Sequence, residues 1–179
     1  MSTNNPIINE WIYFAQMDYD HALKSARTFY PAPVEIICYH CQQSVEKIFK
    51  AYIIANGNTL TKTHDLKMLI EQCKQYSADF DTYANSCFTL TTYISSTRYP
   101  PKPELTEQHM EQALKDACKI LEFTKLKIER NGLRKQRTLA ISGDIFIKYW
   151  LTSNGACSPS VEQMLVLAGL QRPVFQIHG

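Results

Sequence analysis

Arg98-Tyr99, followed at once by the diproline Pro100-Pro101, is the pair best suited by residue type to hold a phosphate. A guanidinium grips phosphate oxygens through two parallel hydrogen bonds, and a neighbouring ring can stack on a base. The same two residues have a plainer use, with Arg98 capping the last carbonyls of its helix and Tyr99 packing the bundle edge. The next histidine downstream is His109, with ten residues between. Upstream, His40, Gln42, Gln43, Glu46, Lys47 and Lys50 line the polar faces of one helical segment, and Lys47 and Lys50 could add positive potential for an anion.

Other reactive groups are scattered. There is no Gly-rich phosphate loop, no Gly-x-Ser-x-Gly elbow and no His-Glu-x-x-His motif. No acidic cluster suggests a two-metal centre. Of the 6 cysteines, Cys38, Cys41, Cys73, Cys87 and Cys118 fall in helical segments, the first four directly on apolar stripes. Thiols there behave as small hydrophobes. Cys38-x-x-Cys41 is half of a zinc pattern, but no second pair follows at suitable spacing. No metal and no cofactor is expected. His64 reads mainly as a structural hydrogen-bonding residue at the start of the third helix.

The elements that position these residues are helical by period. Apolar residues recur at three- and four-residue steps in five segments. The first holds Trp11, Phe14, Ala15, Ala22, Ala26 and Phe29, and is ended by Pro31 and Pro33. The second runs from Val34 to near Asn56-Gly57. The third holds Leu66, Leu69, Ile70 and Cys73, with Thr63 as its expected N-cap and Asp65 in its first turn. The fourth starts with Phe80 and Tyr83 and ends before Pro100. The fifth runs from Leu105 to Ile128, and Asn131-Gly132 is a natural stop. No stretch alternates strictly apolar and polar. The expected fold is all-α, an antiparallel helical bundle of about five helices with a C-terminal extension.

Composition agrees with a packed domain. The 179 residues are 45% hydrophobic, with 19 Lys+Arg against 17 Asp+Glu. Such a balance excludes a strongly basic nucleic-acid glove while leaving room for a local patch. No apolar run reaches the ~20 residues of a membrane span, and the N-terminus lacks signal-peptide features. A cytoplasmic location follows as the expectation. Residues 1–132 carry 14 basic and 15 acidic groups, residues 133–179 carry 5 and 2. That shift divides the chain into a main domain, 1–132, and an extension, 133–179, expected to form one or two short helices. The extension holds a basic run, Leu133-Arg134-Lys135-Gln136-Arg137, then an apolar cluster of Ile145, Phe146, Tyr149 and Trp150. A further helix is expected after Ser158-Pro159, as cap and first-turn proline.

Four pieces in order resemble the HEPN domain (higher eukaryotes and prokaryotes nucleotide-binding). They are Trp11 with Ala15 and Asp18; Cys41-Gln42-Gln43-Ser44-Val45-Glu46-Lys47; Thr63-His64-Asp65-Leu66; and Arg98-Tyr99-Pro100. The likeness covers about residues 8–130. It implies a helical bundle that pairs as a homodimer, often partnered by a minimal nucleotidyltransferase in toxin–antitoxin or nucleotide-handling pairs. Catalytic members are metal-independent ribonucleases with a His about four to six residues after the Arg, both protomers contributing to one cleft. This chain departs there, since positions 103–105 are Pro103, Glu104 and Leu105.

The resemblance therefore points to a non-catalytic or weakly catalytic binder of nucleotide or RNA phosphate. Arg98 is then the phosphate ligand, Tyr99 the stacking group, and Lys47 and Lys50 electrostatic support. The alternatives are a metal-independent ribonuclease toxin using Arg98 and His109, and a dimeric interaction module that presents its extension to a partner without binding a ligand.

Overall fold

A computed structural model describes residues 5–60, 62–98 and 105–152, with side chains for 5–60, 62–93 and 105–133. Among these residues there are five α-helices and no strand: α1 (Pro6–Thr28), α2 (Val34–Ala55), α3 (Leu66–Lys74), α4 (Ala84–Arg98) and α5 (Glu107–Thr152). A 3-10 turn, Ala78–Tyr83, precedes α4. Phe80 and Tyr83, read from the sequence as the first residues of the fourth helix, belong to this turn. Their three-residue spacing suits either helix type. The Ser158-Pro159 helix lies outside the described residues.

Local chemistry sets the boundaries. Asn5 caps α1 by accepting from the Ile7 amide, and Pro6 occupies the first turn, where its missing N–H costs nothing. α2 ends at Ala55, and Gly57 takes a φ of 86°, a left-handed turn that glycine adopts without penalty. At α3 the cap is Asp65 rather than Thr63: the Asp65 carboxylate accepts from the Lys67 amide at 2.8 Å. Thr63 acts one step earlier, its Oγ1 accepting from the Asp65 amide.

α2 is the central element. Thirteen of its 22 residues are buried, and α1, α3 and α4 all pack on it. Phe49 and Tyr52 of α2 meet Phe80 at centroid distances of 5.8 and 4.7 Å, and Phe123 of α5 closes on Phe80 at 5.1 Å. Cys38, Cys41, Cys73 and Cys87 are buried in this core. Burial pushes the Cys38 and Cys87 thiols up to about 12, and those of Cys41 and Cys73 higher still. Not every residue on the expected stripes is inside. Phe14 and Phe29 are exposed, because α1 turns Ala15, Ala22 and Ser25 to the core instead.

The chain divides into two compact units, the first ending at Asn131 and the second beginning at Gly132. The helix does not stop there, as the sequence leads one to expect: residues 131–133 are helical and α5 continues to Thr152. Gly132 has none of the positive φ of a helix-terminating glycine. Without that conformation, a glycine weakens a helix by about 1 kcal/mol but does not end it.

Candidate functional site

The Gln-Gln-Ser-Val-Glu-Lys segment lies mid-α2, and positions 42, 46 and 50 repeat every four residues on one side. Gln42, Glu46 and Lys50, read from the sequence as lining polar faces of this helix, are buried. The reason is position: α2 is surrounded, so even its polar side is covered.

Burying a carboxylate requires partners. Glu46, with its side chain 4% exposed, accepts from Lys50 Nζ at 2.7 Å and from His64 Nδ1 at 2.9 Å, both on Oε1. The amides of Gln42 and Gln43 approach Oε2 at 3.4 and 3.5 Å. Lys50 also lies over the Trp11 ring, 5.4 Å from its centroid. Gln42 additionally donates to the His64 carbonyl at 3.1 Å. Residue 64 is thus tied to α2 through both its ring and its main chain.

A second polar cluster joins α1 to α2. Asp18 accepts from His40 Nδ1 at 3.0 Å and forms an ion pair with Lys47. The His40 ring lies 4.5 Å from that of His21. His21, with Ser25, Phe29, Pro31, Pro33 and Ile36, lines a mainly apolar cavity of about 340 Å³. Lys47 and Lys50, proposed on sequence as support for an anion, therefore have carboxylate partners inside the chain.

Arg98 is the last residue of α4, and Tyr99 lies outside the described residues. His109 occupies the first turn of α5, where its Nδ1 accepts from the Thr106 amide at 3.0 Å and sits 3.1 Å from the Thr106 hydroxyl. This is a capping box with imidazole in place of the usual Glu or Gln. The His109 ring also packs against Tyr93 of α4, centroids 5.8 Å apart. Arg98 follows Tyr93 by five residues, about 7.5 Å along the helix axis. His109 is thus folded back beside the C-terminal part of α4, despite the ten residues between them.

The two anchored histidines differ chemically. A backbone N–H can only donate, so Nδ1 of His109 is an acceptor and its lone pair is spent on the cap. An ionised carboxylate can only accept, so Nδ1 of His64 donates and its lone pair sits on the outer nitrogen. Sequence reasoning assigns His64 mainly a structural role and misses its link to α2. The signal for that link is the four-residue repeat of Gln42, Glu46 and Lys50 on a helix apolar on its other sides. Among the described residues, no group of three His, Cys, Asp or Glu side chains is placed to hold a metal ion, and no helix is long and apolar enough to cross a membrane.

An all-helical bundle centred on a Gln-Gln-Ser-Val-Glu-Lys helix has counterparts. The family model for the HEPN domain matches residues 8–128. The chain belongs to the HEPN domain family. Among solved structures it is similar to ST0689, an archaeal HEPN homologue, at 20% identity and a TM-score of 0.55, over 69% of this chain and 99% of that one. It is similar also to TT1696 from Thermus thermophilus, at 24% identity and a TM-score of 0.55, over 67% of this chain and 97% of that one. No curated protein matches the chain.

Proposed function

We propose that this HEPN protein binds the phosphate of a nucleotide or RNA at a groove shared by two copies of the bundle, without efficient catalysis. Arg98 is the phosphate ligand and Tyr99 the stacking group. A minimal nucleotidyltransferase, as in toxin–antitoxin pairs, is the partner in this reading. The observation that carries it is the return of His109 onto Tyr93, which brings the start of α5 beside the end of α4 that carries Arg98. Lys47 and Lys50 already answer Asp18 and Glu46, so the ligand's charge falls mainly to Arg98. Calorimetric titration with ATP, GTP and a short RNA tests the reading. Saturable binding that Arg98→Ala abolishes supports it; equally negligible binding by both proteins refutes it.

The same contact favours a second reading, a metal-independent ribonuclease using Arg98 and His109. Against it stands the capping bond, which occupies the lone pair a general base needs. Incubation with labelled RNA in EDTA decides: cleavage lost in His109→Ala supports the enzyme, and no cleavage, or cleavage unchanged by the substitution, removes it.

A further inference from the structure

His21 and Ser25 lie four residues apart on one side of α1, near its C-terminal end. The chain then reverses through Phe29, Pro31 and Pro33, and Ile36 follows in the first turn of α2. These six residues line the cavity of about 340 Å³. Phe29 and Ile36 are 60% and 52% exposed, apolar surface that folding leaves in water. Two groups in the same walls can hydrogen-bond and do not. Ser25 is only 5% exposed, and its hydroxyl has no hydrogen-bond partner among the described residues. The His21 ring nitrogens have none among them either. The His21 ring packs on that of His40, centroids 4.5 Å apart, and Asp18 holds His40 through Nδ1 at 3.0 Å. A buried hydroxyl left unpaired is unfavourable, and a guest that pairs with it relieves the penalty.

The chemistry of the lining selects the guest. No lysine, arginine, aspartate or glutamate is among the six, so a charged molecule would lose hydration without gaining a counter-charge. A hydroxyl and a neutral imidazole each offer a donor and an acceptor, which suits a ring whose edge carries both. The Phe29 ring and the two prolines suit a flat apolar body. The volume, about 340 Å³, lies at the small end of ligand sites, which span about 300–1,000 Å³. We infer that the cavity between the end of α1 and the start of α2 binds a small uncharged N-heterocycle, of nucleobase to nucleoside size. Its ring packs on Phe29, Pro31 and Pro33, and its edge exchanges hydrogen bonds with Ser25 and His21. His40 is a positioning residue that supports the His21 ring. The site calls on neither Arg98 nor Tyr99 and stands apart from the phosphate reading.

The test follows backbone amides of the isotope-labelled, full-length protein by NMR during titration with adenine and, separately, adenosine, neither of which carries a phosphate. Both probes are expected to move the resonances of His21, Ser25, Phe29 and Ile36 saturably. Ser25→Ala and His21→Phe, which remove the hydroxyl and the ring nitrogens, are each expected to weaken binding about two- to ten-fold. Ile36→Glu, at an exposed position, is expected to abolish binding by placing a charge in the cavity. Circular dichroism verifies that each variant is folded. Absence of saturable shifts, shifts that map elsewhere, or affinities unchanged in both Ser25→Ala and His21→Phe overturn the inference. Tyr30, 98% exposed between two lining residues, is the rival guest, offered by a second copy of the chain. A dimer that Tyr30→Ala dissociates in sedimentation, with no heterocycle bound by either protein, overturns the inference in favour of that contact. Arg98→Ala is expected to leave the response to adenine intact, and its loss there overturns a separate site. Failure of the Arg98 reading alone leaves that response in place, so the two proposals fail independently.

Discussion

Removing the Glu46 carboxylate should be among the most damaging single changes in the bundle. Lys50, its side chain 10% exposed and 2.7 Å from Glu46 Oε1, would be left as a buried ammonium without a counter-charge. Breaking such a pair from one side costs about 3–5 kcal/mol. The Trp11 face under Lys50 offsets about 0.5–2 kcal/mol of that, so Glu46→Ala is expected to lose about 1–4.5 kcal/mol. That is a large part of the roughly 5–15 kcal/mol that holds an ordinary domain together. Removing both charges is different, because no orphan remains: Glu46→Leu/Lys50→Met is expected within about 1.5 kcal/mol of wild type. Urea unfolding of Glu46→Leu, Lys50→Met and the double variant gives the coupling, expected to exceed about 1.5 kcal/mol. Additivity within about 0.5 kcal/mol would mean that the pair is not buried as described, and the account of α2 would fail.

Three further outcomes follow from local geometry. Gly132 is helical and a Cβ there would meet nothing within 4 Å, so Gly132→Ala is expected to stabilise by about 0.5–1 kcal/mol; Gly57→Ala, at a φ of 86°, should destabilise by about 1 kcal/mol, and thermal melts of the two must shift in opposite directions. Asp65→Ala should cost about 1 kcal/mol in urea unfolding as the cap of α3 is lost, and equal stability would return that role to Thr63. The buried thiols have raised pKa values, so the folded chain keeps protons that the unfolded chain releases. Stability is therefore complete below about pH 8.5 and falls toward pH 12, by roughly 1.4 kcal/mol per pH unit for each thiol; urea midpoints from pH 8 to 10 check this, and Cys38→Ala or Cys87→Ala should each flatten the slope.

Much of the fold can be read from residue spacing because helices bury stripes. The bounds of α2 follow from Pro33 and from Asn56-Gly57, where proline chemistry and a left-handed glycine act locally. What escapes such reading depends on neighbours. Whether Gly132 interrupts a helix depends on a φ angle that sequence does not state. Phe14 sits on a helical stripe but faces outward, because α1 presents its small residues to α2. Gln42, Glu46 and Lys50 look like a solvated face until α1, α3 and α4 are known to enclose their helix. The site is less legible still. The polar type of each residue is plain, but His64 reaches Glu46 across eighteen positions and His40 reaches Asp18 across twenty-two. His109 is the opposite case, since a three-residue spacing from Thr106 fits a capping box without any tertiary contact.

Wholly apolar helix interfaces tolerate sliding, because one leucine replaces another after a turn of about 5.4 Å. α2 lacks that freedom. Its Lys47 and His40 are keyed to Asp18 on one neighbour, and its Glu46 to His64 on another segment. A slip of a single turn would part the half-buried Asp18 pairs on one side and disturb the buried Glu46 carboxylate on the other. The polar rungs thus act as a latch on register, so residues presented at the surface by this helix and by the loop before α3 keep a fixed geometry.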